Sequence, residues 1–449
     1  MQYQTDSNDF EARFRLAFEI VKKLVPKGID FYIYFTAELS RFSRFNLGRI
    51  RQSGLVTDQS LQIVITDGQR SIITTVTLPR GENDLFEILS SLVASTCADL
   101  PSIPIDPFIV SPSGTQETRE LISGSAPTSE LEQAQLCEKL AKLPLTGQFI
   151  GGLIVRAAAT STGAFHWFES DSFAFRYTLS HTTDKLTQST YAGAHWEWDQ
   201  LDNLLAKSEE SLRLLGSTKR RLKAGNYRCY LCPSASASLV GMLGHGALSE
   251  SSIRRGESMF PAEVDKRIQL SQKLSIIQDF SGTHSPRFNH YGELAPSNLV
   301  VINDGHLENT LISTRTGLEY RIEPNGATDS ESLANINVKP GSLKEDEILK
   351  SLDTGIYITN LHYLNWSNRN ASRITGMTRF GALWADKGEF VGPIEDLRFD
   401  DSLNLLLGHK LIELTTFRDT FLNMATYDGR STGGAITPGL LIDDVRFPL

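Results

Sequence analysis

The sequence predicts an α+β protein, with an N-terminal α/β-sandwich-like region built on antiparallel hairpins and a mostly antiparallel, β-rich C-terminal domain. Three observations predict it. Apolar stripes at helical spacing recur in the first half of the chain, β-rich runs flank an Asp-Gly pair at residue 67, and residues 219–449 alternate between strand-like runs and glycine turns.

Residues 9–25 place Phe10, Phe14, Ala17, Phe18, Val21 and Leu24 on one helical stripe, which Pro26 and Gly28 end. "FYIYFT" and "LQIVITDGQRSIITTVTL" follow as strands, the second folding back at Asp67-Gly68. Asn83 is the expected N-cap of a helix to Thr96 that carries Leu85, Ile88, Leu89 and Leu92 on one side. Five prolines between residues 100 and 128 predict a long connection. Ser129 and Glu132 then have the spacing of a capping box, with Leu131, Leu136, Leu140 and Leu143 available for an apolar face. "GQFIGGLIVRAA" and "SFAFRYTLS" read as strands joined through "TSTGAFHWF", and a helix over 199–215 ends at Gly216 as its C′ residue. Three regions are expected: 1–110, 111–218 and 219–449.

Composition narrows the function. The 449 residues are 40% hydrophobic and 22% charged, as in soluble globular proteins, and no stretch has the roughly 18 apolar residues of a membrane-spanning helix. The first residues lack a basic and apolar leader, so a cytoplasmic location is expected. Four cysteines do not make a disulfide framework, and Cys229 and Cys232, three apart on an expected strand, would face opposite ways. A net charge of −9 disfavours binding to nucleic acid, and the basic run 218–223 reads as a solvated helix end or linker.

Five segments in order, "SRFSRFNLGRIRQSG", "ATSTGAFHWF", "LKAGNYRCYLCPSA", "IYITNLHYLNWSNRNASRITGMTRFG" and "GEFVGPIEDLRFDDSL", resemble the TldD/PmbA family of cytoplasmic metallopeptidases, once described as modulators of DNA gyrase. The resemblance implies a helix that carries H-E-x-x-x-H in the catalytic TldD branch, with a C-terminal cysteine completing a zinc site. Imidazoles and a thiolate hold the ion, and the glutamate takes a proton from its water. Here the matching segment is "VGMLGH", with Val240 for the first histidine, Gly241 for the glutamate and only His245 remaining. The ending "PGLLIDDVRF" has no cysteine near it and resembles the TldE/PmbA branch, which lacks the motif.

On a regular helix Leu239, Val240, Met242, Leu243 and Ala247 cluster, whereas His245 points away with Ser238, Gly241 and Ser249. Glu250, Asp279, His284 and His290 are candidate replacement ligands, at spacings that match no metal pattern. His362, Tyr363, Trp366, Arg369, Arg373 and Arg379 form a stretch rich in aromatics and guanidinium groups, suited to docking an extended peptide or a subunit. "RFSRFNLGRIRQ" either lines a channel with arginines or is a strand with Arg41, Arg44, Arg49 and Arg51 outward.

The expectation is thus a non-catalytic TldE/PmbA-like subunit with no catalytic residue, metal ligand set or cofactor of its own. It would pair as a heterodimer with a zinc-bearing TldD-like chain, or as a homodimer, around unfolded or short peptides. The alternatives are an independent metallopeptidase with an atypical site at His245 and a regulatory or nucleic-acid-binding module.

Overall fold

The computed structural model describes residues 2–79, 81–182, 185–261, 269–427 and 429–448, with side chains from residue 9 onward. Strands β1 (Asp30–Asn46) and β2 (Arg49–Thr66) form a long hairpin, and β3 (Ser71–Val76) folds back at the expected Asp67-Gly68 turn. Asp67 fixes that turn, its carboxylate accepting from the Gln69 and Arg70 amides. Next in the chain come β4 (Glu117–Ile122), β5 (Leu145–Thr160), β6 (Phe165–Ser180) and β7 (Leu186–Gly193). They complete one sheet in the order β3-β2-β1-β5-β6-β4, with β7 also on β6. Strands from before and after residue 110 therefore interleave in a single sheet, since β1 pairs along its length with β5.

Helices α1 (Gln2–Leu24) and α2 (Glu82–Asp99) cover one face of this sheet. Phe10, Phe14, Ala17 and Val21 meet Phe31, Ile33 and Phe35, the alternate residues of β1 that share a face. On α3 (Glu130–Leu140) the capping box is present, with Ser129 and Glu132 bonding reciprocally. Leu136 and Leu140 are buried, but Leu131 is 81% exposed because it lies off their stripe. Two further expectations are corrected. The N-cap of α2 is Gly81, which leaves Asn83 inside the first turn, and the proline-rich connection contains β4, paired in parallel with β6. The helix α4 (Trp198–Leu214) ends as expected, with the Gly216 amide bonded to the Arg213 carbonyl.

The C-terminal half holds a second sheet. Its strands are β8 (Gly225–Leu231), β9 (Ile276–Asp279), β10 (Asn298–Asn303), β11 (His306–Leu307) and β12 (Asn335–Val338), followed by β13 (Gly355–Ile358). After β14 (Asn360–Asn368) and β15 (Arg373–Arg379) the chain adds β16 (Leu383–Asp386), β17 (Glu389–Pro393), β18 (Arg398–Ser402), β19 (Leu411–Leu422) and β20 (Gly434–Phe447). The large sheet runs β11-β10-β9-β12-β20-β8-β13-β16-β17, with β19 also on β20, while β14, β15 and β18 form a small separate sheet. Most pairs are antiparallel, as expected of the class; β12 with β20 and β8 with β13 are parallel.

A buried arginine is among the side chains that tie the two halves together. Arg430, in the loop before β20, enters the first sheet, where Nη1 donates to the Gly152 carbonyl at 2.8 Å and Nη2 to the Ser172 carbonyl at 3.0 Å. Its own amide donates to Glu38 Oε2 at 2.6 Å, and its carbonyl accepts from Arg156. Burial draws the Arg430 guanidinium down to about 10, against the pull of Glu38 and Asp171, so it stays charged at neutral pH. Burial also raises the Asp171 carboxyl to about 6, the Arg430 charge opposing the rise, and its Oδ1 has no hydrogen-bond partner among the described residues.

A carboxyl raised on folding favours the folded state only while protonated, so its contribution is lost as pH rises through about 6. Asp171→Asn is therefore expected to stabilise the protein above neutral pH, with the gain shrinking as pH falls through that value. Urea unfolding of both proteins across this range checks it.

Candidate functional site

The degenerate motif lies on helix α5 (Pro233–Gly244), which follows β8 directly, with Cys232 as N-cap and Pro233 in its first turn. Small residues let this helix lie close against the sheet. Ala235, Ser236, Leu239, Val240, Met242, Leu243 and Gly244 are all buried. Val240 is fully enclosed in the core, so the position of the first histidine offers neither a donor atom nor access to solvent. A Cβ added at Gly241 would meet nothing within 4 Å, so the position of the glutamate faces open space and carries no side chain.

The helix ends one residue before the histidine. His245 leaves the helical conformation as the C-cap, its amide bonding to the Met242 carbonyl at 3.2 Å, and it is exposed as expected. Gly246, at φ +84°, turns the chain back, because a left-handed backbone suits glycine. Ser249 is consequently not on the exposed face with His245, but buried as the N-cap of a new short helix, α6 (Glu250–Arg254). Arg369, on the β14–β15 turn, comes close to this corner, its Nη1 lying 3.4 Å from a Cβ placed on Gly246.

A buried carboxylate locks the segment after the corner. Glu331 accepts from Ser249 Oγ at 2.6 Å, the Ser251 amide at 2.9 Å and the Ser313 amide at 2.8 Å. Ser313 caps α7 (Thr314–Tyr320), so one side chain holds the starts of two helices. Burial pushes the Glu331 carboxyl up, but the hydrogen bonds from Ser249, Ser313, Ser251 and Thr316 outweigh it and hold the group below its ordinary value.

The four candidate replacement ligands do not converge. Glu250 is engaged by Arg254 and Thr310, and Asp279 by Ser281 and Asn337. His284 sits at φ +54° with Nδ1 3.0 Å from Ser170 Oγ, and burial, with Arg430 and His195 nearby, lowers its pKa. His290 pairs with Asp329 at 3.4 Å beside Tyr291. No group of three His, Cys, Asp or Glu residues among the described residues could hold a metal ion. The described residues thus do not fit the metal that the resemblance implies for this helix.

The other predicted site residues spread along the small sheet. His362 lies against Tyr363 and Phe380, and burial together with Arg379 lowers its pKa. Tyr363, at φ +51°, is 71% exposed where the β14–β15 register shifts, and Trp366 packs its ring on the core with Nε1 unpartnered among the described residues. Arg373 pairs with Asp400, and Arg379 covers Phe380 at 5.2 Å. Of these residues, Arg369 is the one that reaches the Gly246 corner next to His245. In the β1–β2 hairpin Arg44, Arg49 and Arg51 are exposed and Arg41 is half-buried.

Sequence reasoning missed a large opening between the two halves. A cavity of about 630 Å³ lies between β1, β2 and β3 on one side and the C-terminal half on the other. Its walls are rich in hydroxyl and amide groups, among them Thr36, Ser60, Gln62, Gln278, Asn289 and Asn335. Gln278 is 5% exposed and its Oε1 has no partner among the described residues. These residues come from five separate stretches of chain, so no local pattern announces them.

Residues 224–448 match the family model described as the PmbA/TldA metallopeptidase C-terminal domain. The chain belongs to the TldD/PmbA family. Among solved structures, TldE from Thermococcus kodakarensis is similar over 97% of this chain and 100% of its own, with TM-score 0.75 and 13% identity. A Thermotoga maritima MSB8 protein described as a modulator of a DNA gyrase covers 98% and 100%, with TM-score 0.73 and 15% identity. A protein from Bacteroides thetaiotaomicron VPI-5482 with the same description covers 98% of each chain, with TM-score 0.73 and 14% identity. At such identities these likenesses establish the fold. No curated protein matches.

Glu331→Gln is expected to cost about 1–3 kcal/mol at neutral pH, since buried donors lose a charged acceptor. A carboxyl depressed on folding stabilises above its unfolded pKa and stops doing so as pH falls through its folded one, so the two proteins should converge in acid. Denaturant titrations from neutral pH downward measure both effects.

Proposed function

We propose that this chain is the non-catalytic, TldE/PmbA-like subunit of a TldD/TldE-type zinc metalloprotease, paired with a zinc-bearing TldD-like partner around unfolded or short peptides. The observation that carries the reading is the state of α5. Val240 is sealed in the core and Gly241 opens on empty space, so ligand and base are missing from the positions where family chemistry needs them.

The cavity facing β1–β3 supports the same reading. Hydroxyls and amides bind peptide backbone without selecting side chains, which suits a subunit that supplies walls and contacts while its partner hydrolyses. One complete ligand set in the assembly is enough to activate water. No helix among the described residues is long and apolar enough to cross a membrane, and a cytoplasmic location of the pair is part of this proposal.

Purified alone, the chain is expected to carry no stoichiometric zinc and to hydrolyse no peptide, and to contribute to activity only when mixed with a TldD-like chain. Zinc at one equivalent together with peptidase activity in the lone chain would overturn the proposal. His245→Ala is expected to change the activity of the pair by less than ten-fold, about 1.4 kcal/mol of barrier. Binding to DNA that falls steeply with salt would favour the regulatory alternative instead.

A further inference from the structure

A second cavity, of about 580 Å³, opens at the other end of α5, where Cys232, Pro233 and Ser234 line it. His245 lies at the opposite end of this 12-residue helix, about 18 Å away along the axis, so the two places are distinct. Helix α4 and strand β7 form one wall, and β8, β13, β17, β19, the start of β14 at Asn360 and the helical turns at residues 345–349 line the remainder.

Three features of the lining point to one ligand chemistry. Tyr230, Tyr357, Phe390, Phe417 and Phe421 surround the space with aromatic rings. Asn360 is 5% exposed, and its Oδ1 accepts no hydrogen bond among the described residues. Asp419 opens into the cavity, where solvent reaches it, and its carboxylate makes no hydrogen bond or ion pair among the described residues. The protein atoms crowded around Asp419 push its carboxyl up, Lys207 opposing and Glu345 adding to the shift.

The remaining charges cancel. Lys207 and Glu345 pair with each other at 3.4 Å, and both are 71% exposed. An anionic ligand would gain from the N-terminus of α5 but would meet the unpaired Asp419. A cation gains from the carboxylate and from the ring faces, whose quadrupoles attract positive charge, and an N–H donor satisfies the stranded amide oxygen.

We propose that this cavity binds an organic ammonium group carried on an apolar body. The carboxylate of Asp419 and the Asn360 oxygen accept from the ammonium, and the aromatic wall takes the hydrocarbon. The inference does not depend on the subunit role proposed above. The chemistry could come from a small free amine or from the N-terminus of a peptide, and the test separates the two.

Titration calorimetry of the full chain with phenethylammonium chloride, against 2-phenylethanol as neutral comparator, tests the proposal. The amine is expected to bind roughly ten-fold or more tightly than the alcohol, and Asp419→Asn to remove most of that preference. Phe421→Leu, which keeps apolar bulk, is expected to weaken the amine about three-fold and leave the alcohol unchanged. If Asp419→Asn fails to fold, the amine-to-alcohol ratio of the unaltered chain and the Phe421→Leu variant still decide. Equal binding of amine and alcohol, or no binding of the amine at millimolar concentration, would overturn the proposal. Phe-Ala-amide binding more tightly than phenethylammonium, with its N-acetyl form inactive, assigns a peptide N-terminus; the reverse order assigns a small amine.

Discussion

The buried guanidinium of Arg430 is the contact on which the arrangement of the two halves depends. Removing such a group from water is costly, and the cost is offset only if its donors find acceptors at fixed positions. They do so on the backbone of β5 and β6 and on serine hydroxyls, while Glu38 accepts from the Arg430 amide and Arg156 bonds its carbonyl. Because these acceptors belong to the first sheet and Arg430 to the loop entering β20, this contact fixes the seam from within, alongside Ser170 with His284, Arg287 with Glu120 and Arg315 with Asp106. That seam borders the large cavity with hydroxyl and amide groups in its lining, whose two walls come from the two halves.

Around β20 the C-terminal half is organised by close approach. Strand β19 runs along one side of it, β12 and then β8 pair with successive stretches of the other, and α5 packs above through alanine, serine and glycine. The same tight seat explains why a valine at the first motif position is at home. It completes a hydrophobic core, whereas a metal ligand there would need room and a partner set. The two ends of α5 then differ in kind: a glycine corner with an exposed histidine at one, an aromatic-lined cavity with an unpaired carboxylate at the other.

Much of the fold was legible because its signals are local. The stripe of Phe10, Phe14, Ala17 and Val21, the Asp67-Gly68 turn and the Ser129–Glu132 box each act within a few residues, and each appears where expected. The misplacements are also local in origin. Asn83 is a good cap by type, but Gly81 already holds the extended conformation that precedes the helix. Extending a regular helix past Gly244 put Ser249 beside His245, whereas the chain turns at Gly246 and Glu331, some 80 residues away, claims Ser249 instead.

By itself the sequence determined the class, several of the elements and the identities of Val240, Gly241 and His245, because periodicity, capping and residue identity are properties of neighbours along the chain. Only the tertiary structure decided that strands on both sides of residue 110 share a sheet, that Arg430 is a pin between the halves, and which polar groups line each cavity. Those outcomes come from burying charge and apolar surface among segments up to 392 residues apart, as Glu38 and Arg430 are, and no pattern within one segment encodes the position of its distant partner.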